Sequence, residues 1–131
     1  MTYFAQHISI SINRSATHVY DFVANPENLP KWAAGVSESI RKVGNDWIAD
    51  SPMGTIKIKF AETNTFGVLD HDVTLPSGVT FDNPMRVIPN NEGSEFVFTL
   101  YRRPEMSDEE FKKDAEMIEK DLKKLKTILE K

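Results

Sequence analysis

The stretch SDEEFKKDAEMIEKDLKKLKTILE, residues 107–130, decides the fold. Ser107 and Glu110 stand three positions apart as a capping box, and Met106 and Phe111 sit where a hydrophobic staple would close the first turn. Asp108, Glu109 and Glu110 load that turn with negative charge, while Lys120, Lys123, Lys124 and Lys126 load the second half with positive charge. That distribution suits a helix dipole. Phe111, Ala115, Ile118, Leu122, Leu125 and Leu129 recur at alternating steps of four and three, which makes one apolar stripe. A helix of this length is ~36 Å long at 1.5 Å per residue.

Upstream of the helix the periodicity changes from helical to two. Residues 7–13 put Ile8, Ile10 and Ile12 on one face and His7, Ser9 and Ser11 on the other, the pattern of a half-buried strand. Ser15 then caps a short helix over residues 16–24, with Val19, Tyr20 and Val23 on its inner side. Asn25-Pro26 starts a second helix that Pro30 keeps short. After Trp32-Ala33-Ala34-Gly35, strands are predicted over 36–43, 47–50, 55–62, 65–75, 79–88 and 95–102. Turns at Gly44-Asn45-Asp46, Pro52-Met53-Gly54, Pro76-Ser77-Gly78 and Asn90-Asn91-Glu92-Gly93 separate most of them. With the N-terminal strand this gives seven, a sheet ~29 Å across at about 4.8 Å per strand. One long helix can cross it. A coiled-coil seam is the alternative use of the stripe, but the sheet's apolar face needs a cover that two short helices cannot supply. The expected fold is therefore α+β: a curved antiparallel seven-stranded sheet around a long C-terminal helix, with two short helices between strands 1 and 2.

A chain of 131 residues fits one domain, 1–131, with a core of its own. The absence of cysteine excludes disulfides and thiolate chemistry and fits a cytoplasmic location. Sixteen basic and twenty acidic residues, net charge −4, are interspersed, and no basic block lies outside the last helix. Nucleic acid is thereby disfavoured as a partner. Residues 1–6 carry no Lys or Arg and no long apolar run, so no signal peptide is expected. No run approaches ~18 apolar residues, so no membrane-spanning helix is expected. Monomer and homodimer both remain open.

The order of elements, together with Ala16-Thr17-His18-Val19-Tyr20-Asp21-Phe22-Val23-Ala24-Asn25-Pro26-Glu27-Asn28-Leu29-Pro30-Lys31-Trp32, resembles the SRPBCC superfamily of START-related lipid-transfer domains, birch-pollen-allergen-like proteins and polyketide cyclases. In bacterial members a helix runs into a similar Pro-Glu…Leu…Trp segment. The resemblance covers essentially the whole chain. It implies a helix-grip fold with an apolar pocket between sheet and helix, and binding of lipids, steroids or aromatic polyketides. It implies no particular reaction, because the superfamily has no universal catalytic motif.

Asp70-His71-Asp72 is the densest ionisable cluster in any predicted strand. Leu69, His71, Val73 and Leu75 share one face, so His71 is expected to point inward. There it is either a general acid or base or a core histidine satisfied by a neighbour. A three-residue loop at Pro76-Ser77-Gly78 pairs Leu75 with Val79, Val73 with Phe81, His71 with Asn83 and Leu69 with Met85. His71 and Asn83 can then orient a ligand carbonyl or hydroxyl. Simple alternation puts Arg86 outside near Asp70; a bulge at Pro84 would turn it inward as an anion or carbonyl anchor. Trp32 either lines the cavity entrance and stacks on a flat ligand or wedges the short helices against the long one. Phe60, Phe81, Phe96, Phe98, Ile56 and Ile58 are mostly core, with Phe81 and Phe98 among those expected to face the ligand. Tyr20 and Tyr101 are weaker candidates for polar contacts. His7, His18 and His71 lack metal-ligand spacing, and single scattered glycines make no phosphate loop. No metal or cofactor is expected.

Binding of a small hydrophobic or aromatic molecule, lipid or polyketide-like, in an internal cavity is thus the leading expectation. One alternative is a cyclase or dehydratase with His71 as acid/base and Arg86 steadying an enolate oxygen. Another is an interaction module resembling chaperone activators, working through an outer patch at Phe66 and Val68.

Overall fold

The computed structural model of the chain describes residues 1–36 and 39–131. The first alternating stretch forms β1 (Ala5–Ile12), with Ile8 and Ile12 buried and His7, Ser9 and Ser11 exposed. Ser15 caps α1 (Ala16–Val23) by accepting the His18 N–H at 3.1 Å. Asn25 accepts the Glu27 N–H at the start of a 3₁₀ turn, Pro26–Asn28, that runs directly into α2 (Leu29–Trp32). Then come β2 (Ile40–Val43), β3 (Asp46–Ser51), β4 (Gly54–Phe60), β5 (His71–Thr74), β6 (Thr80–Asn83), β7 (Met85–Asn90), β8 (Gly93–Tyr101) and α3 (Asp108–Leu129). The strand expected over 36–43 takes in residues 37 and 38, which lie outside the described residues.

The expected single seven-stranded sheet is corrected to eight strands among the described residues, in two antiparallel sheets ordered β1-β8-β7 and β2-β3-β4-β5-β6. The division falls within the strand predicted over 79–88. Pro84 has no N–H to give, and the Met85 N–H leaves the ladder to donate to Asp70 Oδ1 at 2.9 Å. Residues 67–69 stitch the two sheets together. The Leu69 N–H donates to the Met85 carbonyl at 2.9 Å, and the Val87 N–H donates to the Gly67 carbonyl at 3.0 Å. A Cβ on Gly67 would come within 2.2 Å of the Val87 oxygen, and its φ of +74° favours glycine on its own account.

The strand predicted over 65–75 contracts to β5 because Asn64 organises the preceding loop. Its Oδ1 accepts the N–H groups of Phe66 and Val68 at 3.0 Å, and its Nδ2 donates to the Val68 carbonyl at 2.9 Å. The β5–β6 turn forms as expected, with Gly78 at φ +90° and the Leu75 N–H donating to the Val79 carbonyl at 2.9 Å.

Both halves of the capping box close: Ser107 Oγ accepts from Glu110 N–H at 3.1 Å, and Glu110 Oε1 accepts from Ser107 N–H at 3.2 Å. Phe111, Ala115, Leu122, Leu125 and Leu129 are buried along the stripe. The close backbone contacts of α3 fall on β1, α2 and β8. Lys126 Nζ donates to the Ser11 carbonyl at 2.6 Å, and Glu130 Oε2 accepts the Asn13 N–H at 2.7 Å, which ties the end of the helix to the end of β1. Among the described residues the five-stranded sheet has no approach to α3 of comparable extent. The close backbone contacts of the helix are thus concentrated on the three-stranded sheet.

Candidate functional site

Strand pairing lines up two rows of side chains on the inner face of the five-stranded sheet. Phe60 pairs with His71 and His71 with Asn83, across β4, β5 and β6. In the next row Trp47 pairs with Ile58, Ile58 with Val73 and Val73 with Phe81. Ile58 is buried, whereas Phe60, His71, Val73, Phe81 and Asn83 keep part of their surface accessible although they point inward. Phe98 does so on β8, between the buried Phe96 and Leu100.

His71 is the polar centre of this face. Its ring lies 5.1 Å from that of Phe60, tilted by 30°. Its Nδ1 is sealed from solvent and, among the described residues, meets no hydrogen-bond partner in good geometry. Burial lowers its pKa to about 4, against the opposing pull of the Leu69 backbone carbonyl and the Asp70 and Asp72 carboxylates. Asn83 is its cross-strand partner, but the Asn83 amide has its own weak contact, with the Phe81 carbonyl at 3.5 Å.

Two other candidates stand elsewhere. Arg86 is on the outer surface, ion-paired with Asp70 at 3.0 Å, so its role as an inward anchor is corrected. Alternation runs unbroken through Pro84: Met85 and Val87 are buried and Arg86 and Ile88 are exposed. The sheet divides there without a bulge that would invert the faces. Trp32 is 4% exposed and packs edge-to-face on Phe96 at 6.1 Å. It is the core wedge, not a stacking surface at the entrance, and its buried Nε1 finds no acceptor among the described residues. Tyr20 latches the loop after β4, its hydroxyl accepting the Asn64 N–H at 3.0 Å, and Tyr101 is exposed.

Two open grooves occupy other parts of the surface. One of about 380 Å³ lies between β1 and α3, and one of about 290 Å³ lies beside the β7–β8 turn. Neither is lined by His71, Asn83, Phe81 or Phe98. No group of His, Cys, Asp or Glu among the described residues is arranged to hold a metal ion, and no described helix is long and apolar enough to cross a membrane.

Residues 6–130 match the family described as polyketide cyclase / dehydrase and lipid transport. The chain belongs to this family. No curated protein matches its sequence significantly. Among solved structures, a Bacillus thuringiensis protein is similar with a TM-score of 0.76 at 16% identity, over 98% of this chain and 100% of that one. The Aha1 dimer from Colwellia psychrerythraea is similar with a TM-score of 0.76 at 16% identity, over 96% of each chain. Ara h 8.0201 has a TM-score of 0.64 at 11% identity, over 96% of this chain and 97% of that one. At these identities the likeness is one of fold, the SRPBCC helix-grip arrangement.

This member of the polyketide cyclase/dehydrase and lipid-transport family also carries charged groups that the sequence reading passed over. Asp121, on α3, accepts the Ala34 N–H at 3.1 Å. Burial pushes its carboxyl up to about 6, against the effects of that N–H and of Lys124. Asp114, two turns earlier, is also raised, first by burial, with Arg103 pulling the other way. Arg103 stacks on Phe81, its guanidinium carbon 3.3 Å from the ring centroid. In the sequence these three residues look like ordinary members of a highly charged helix and its leading loop. The one available signal was that Asp114 and Asp121 each directly precede a stripe residue, Ala115 and Leu122.

Proposed function

We propose that the protein binds a small apolar or aromatic molecule between the inner face of the five-stranded sheet and α3. The observation that carries this reading is the set of inward-facing, partly accessible side chains Phe60, His71, Val73, Phe81, Asn83 and Phe98, with an unpaired Nδ1 at its centre. An apolar wall with a few convergent polar groups is what a small-molecule site requires. Burial supplies affinity at ~25 cal/mol per Å² of apolar area. The His71 imidazole supplies orientation, since a buried polar atom without a partner gains when a ligand group fills the vacancy. Lipids and aromatic polyketides are the ligand classes that membership of the family suggests.

The charge state of His71 favours a carrier or binder over a cyclase. With a pKa of about 4 the ring is neutral at pH 7, so its one N–H can donate a hydrogen bond but the ring is a poor general acid and a weak base. Trp47, in the same row as Val73 and Phe81, offers a reporter. Titration with pyrene-based and fatty-acid ligands is expected to change tryptophan fluorescence saturably. His71→Leu is expected to weaken a ligand that bears a hydroxyl or carbonyl by ~3- to 10-fold, the worth of one neutral hydrogen bond. Absence of any saturable change across both ligand classes overturns the binding role; a detectable turnover lost by ~10²-fold in His71→Leu would instead establish an enzyme.

A further inference from the structure

Two adjacent arginines follow β8, and they are used differently. Arg102 is committed to structure: its Nε and Nη2 donate to the Met106 carbonyl at 3.4 and 3.2 Å, and its Nη1 pairs with Asp108 in the first turn of α3. Arg103 has no such commitment. Its backbone carbonyl accepts the Met106 N–H at 3.0 Å, but among the described residues its side chain forms no ion pair or hydrogen bond, and its guanidinium carbon lies 3.3 Å from the Phe81 ring centroid. Phe81 belongs to the inner-face row of β6, opposite Val73. The loop between β8 and α3 therefore brings a half-buried cation to the wall of the proposed binding face.

Such a group has unused capacity. A guanidinium carries five N–H donors in a fixed fork that matches a carboxylate, and stacking on an aromatic ring leaves its edges free to donate. Burial acts to lower its pKa, while Glu105, Asp114 and Tyr3 favour the charged form from a distance. Asp114 is the neighbouring carboxylate on α3, but no pair within 4.0 Å forms between them. A partly desolvated charge held in place without a partner gains most from an anion that arrives with the ligand.

We propose that Arg103, fixed by its stack on Phe81, anchors the carboxylate head of an amphipathic ligand whose apolar body lies on the inner face of the five-stranded sheet. Arg103 then sets specificity for acids over neutral analogues. This rests on the binding role proposed above and adds the chemical class of the ligand.

The test uses the full chain and a matched pair of probes, 1-pyrenebutyric acid and 1-pyrenebutanol, with dissociation constants measured for each. The expected result is that the wild-type protein prefers the acid by ~10-fold or more, the size of a charge-assisted hydrogen-bonded pair. Arg103→Gln is expected to bring the two constants within about 2-fold of each other, and Arg103→Lys, which keeps the charge but loses the planar fork, to retain a reduced preference. Equal binding of acid and alcohol by the wild type overturns the proposal while leaving the binding role standing. A preference that survives Arg103→Gln overturns it as well. Binding of neither probe removes the binding face on which it rests.

Discussion

A neutral imidazole on the inner face couples His71 to folding through pH. Its folded pKa of about 4 lies below the ordinary 6.5, so the unfolded chain binds the extra proton between those values. Stability therefore rises with pH through that window, is fully present above about 6.5 and is lost as pH falls toward about 4. The shift sets an upper bound of ~3 kcal/mol on the loss. Asp121 runs the other way: its carboxyl is raised from 3.8 to about 6, so its contribution is present at low pH and is lost as pH rises through about 6. The two effects oppose each other in the wild type, and His71→Leu isolates the first. Because the variant keeps the Asp121 contribution, urea unfolding from pH 7 to pH 5 is expected to show the wild type losing stability relative to the variant, which holds or gains, and an identical change in both proteins would contradict the buried neutral ring. The inward direction of His71 was legible because Leu69, Val73 and Leu75 share its parity, and the turn chemistry of Pro76-Ser77-Gly78 fixed Asn83 as its partner. Arg103 was not legible. Its significance depends on a contact with Phe81 across the molecule, and no local pattern encodes that.

Among the elements, the junction between the two sheets is the least regular, and an Asp side chain replaces backbone there. Asp70 accepts the Met85 N–H with Oδ1 at 2.9 Å and pairs with Arg86 through Oδ2 at 3.0 Å. The two bonds are of unequal value. The first satisfies a half-buried backbone donor that has lost its ladder partner, whereas the second joins side chains that are partly in solvent. Asp70→Ala is expected to cost ~1–3 kcal/mol by chemical denaturation. Arg86→Ala is expected to cost less than ~1 kcal/mol. Similar costs for both would mean that the carboxylate serves the ion pair and not the seam. Pro84 marked this place in the sequence, because a residue without an N–H cannot continue a central ladder. What the sequence left open was the repair. A bulge and a side-chain acceptor both answer a missing bond, and only the reach of the Asp70 carboxylate to the Met85 N–H selects the second. By contrast, α3 needed no tertiary information: cap, staple, charge gradient and stripe are all local, and all lie within the same two dozen residues.

Across the whole molecule, the close backbone contacts of the helix fall mainly on one sheet, and the proposed binding role requires that the space beside the other sheet be unfilled. Val87 and Val73 make the comparison directly. Both are valines on inner faces, but Val87 is 2% exposed in the three-stranded sheet under the helices, while Val73 remains partly accessible in the row that holds Ile58 and Phe81. In a packed interior an enlarged side chain forces neighbours off their rotamers at ~1–3 kcal/mol, whereas an unfilled space accepts it with little strain. Val87→Phe is therefore expected to destabilise by about that amount or more. Val73→Phe is expected to change stability by less than ~1 kcal/mol and to weaken binding of pyrene ligands by occupying their site. Thermal unfolding and fluorescence titration of the two variants measure both quantities. If Val73→Phe proved as costly as Val87→Phe, the space beside the five-stranded sheet would be filled by the protein's own side chains. The partial exposure of Phe60, His71 and Phe81 would then reflect the sheet's rim and not a binding face.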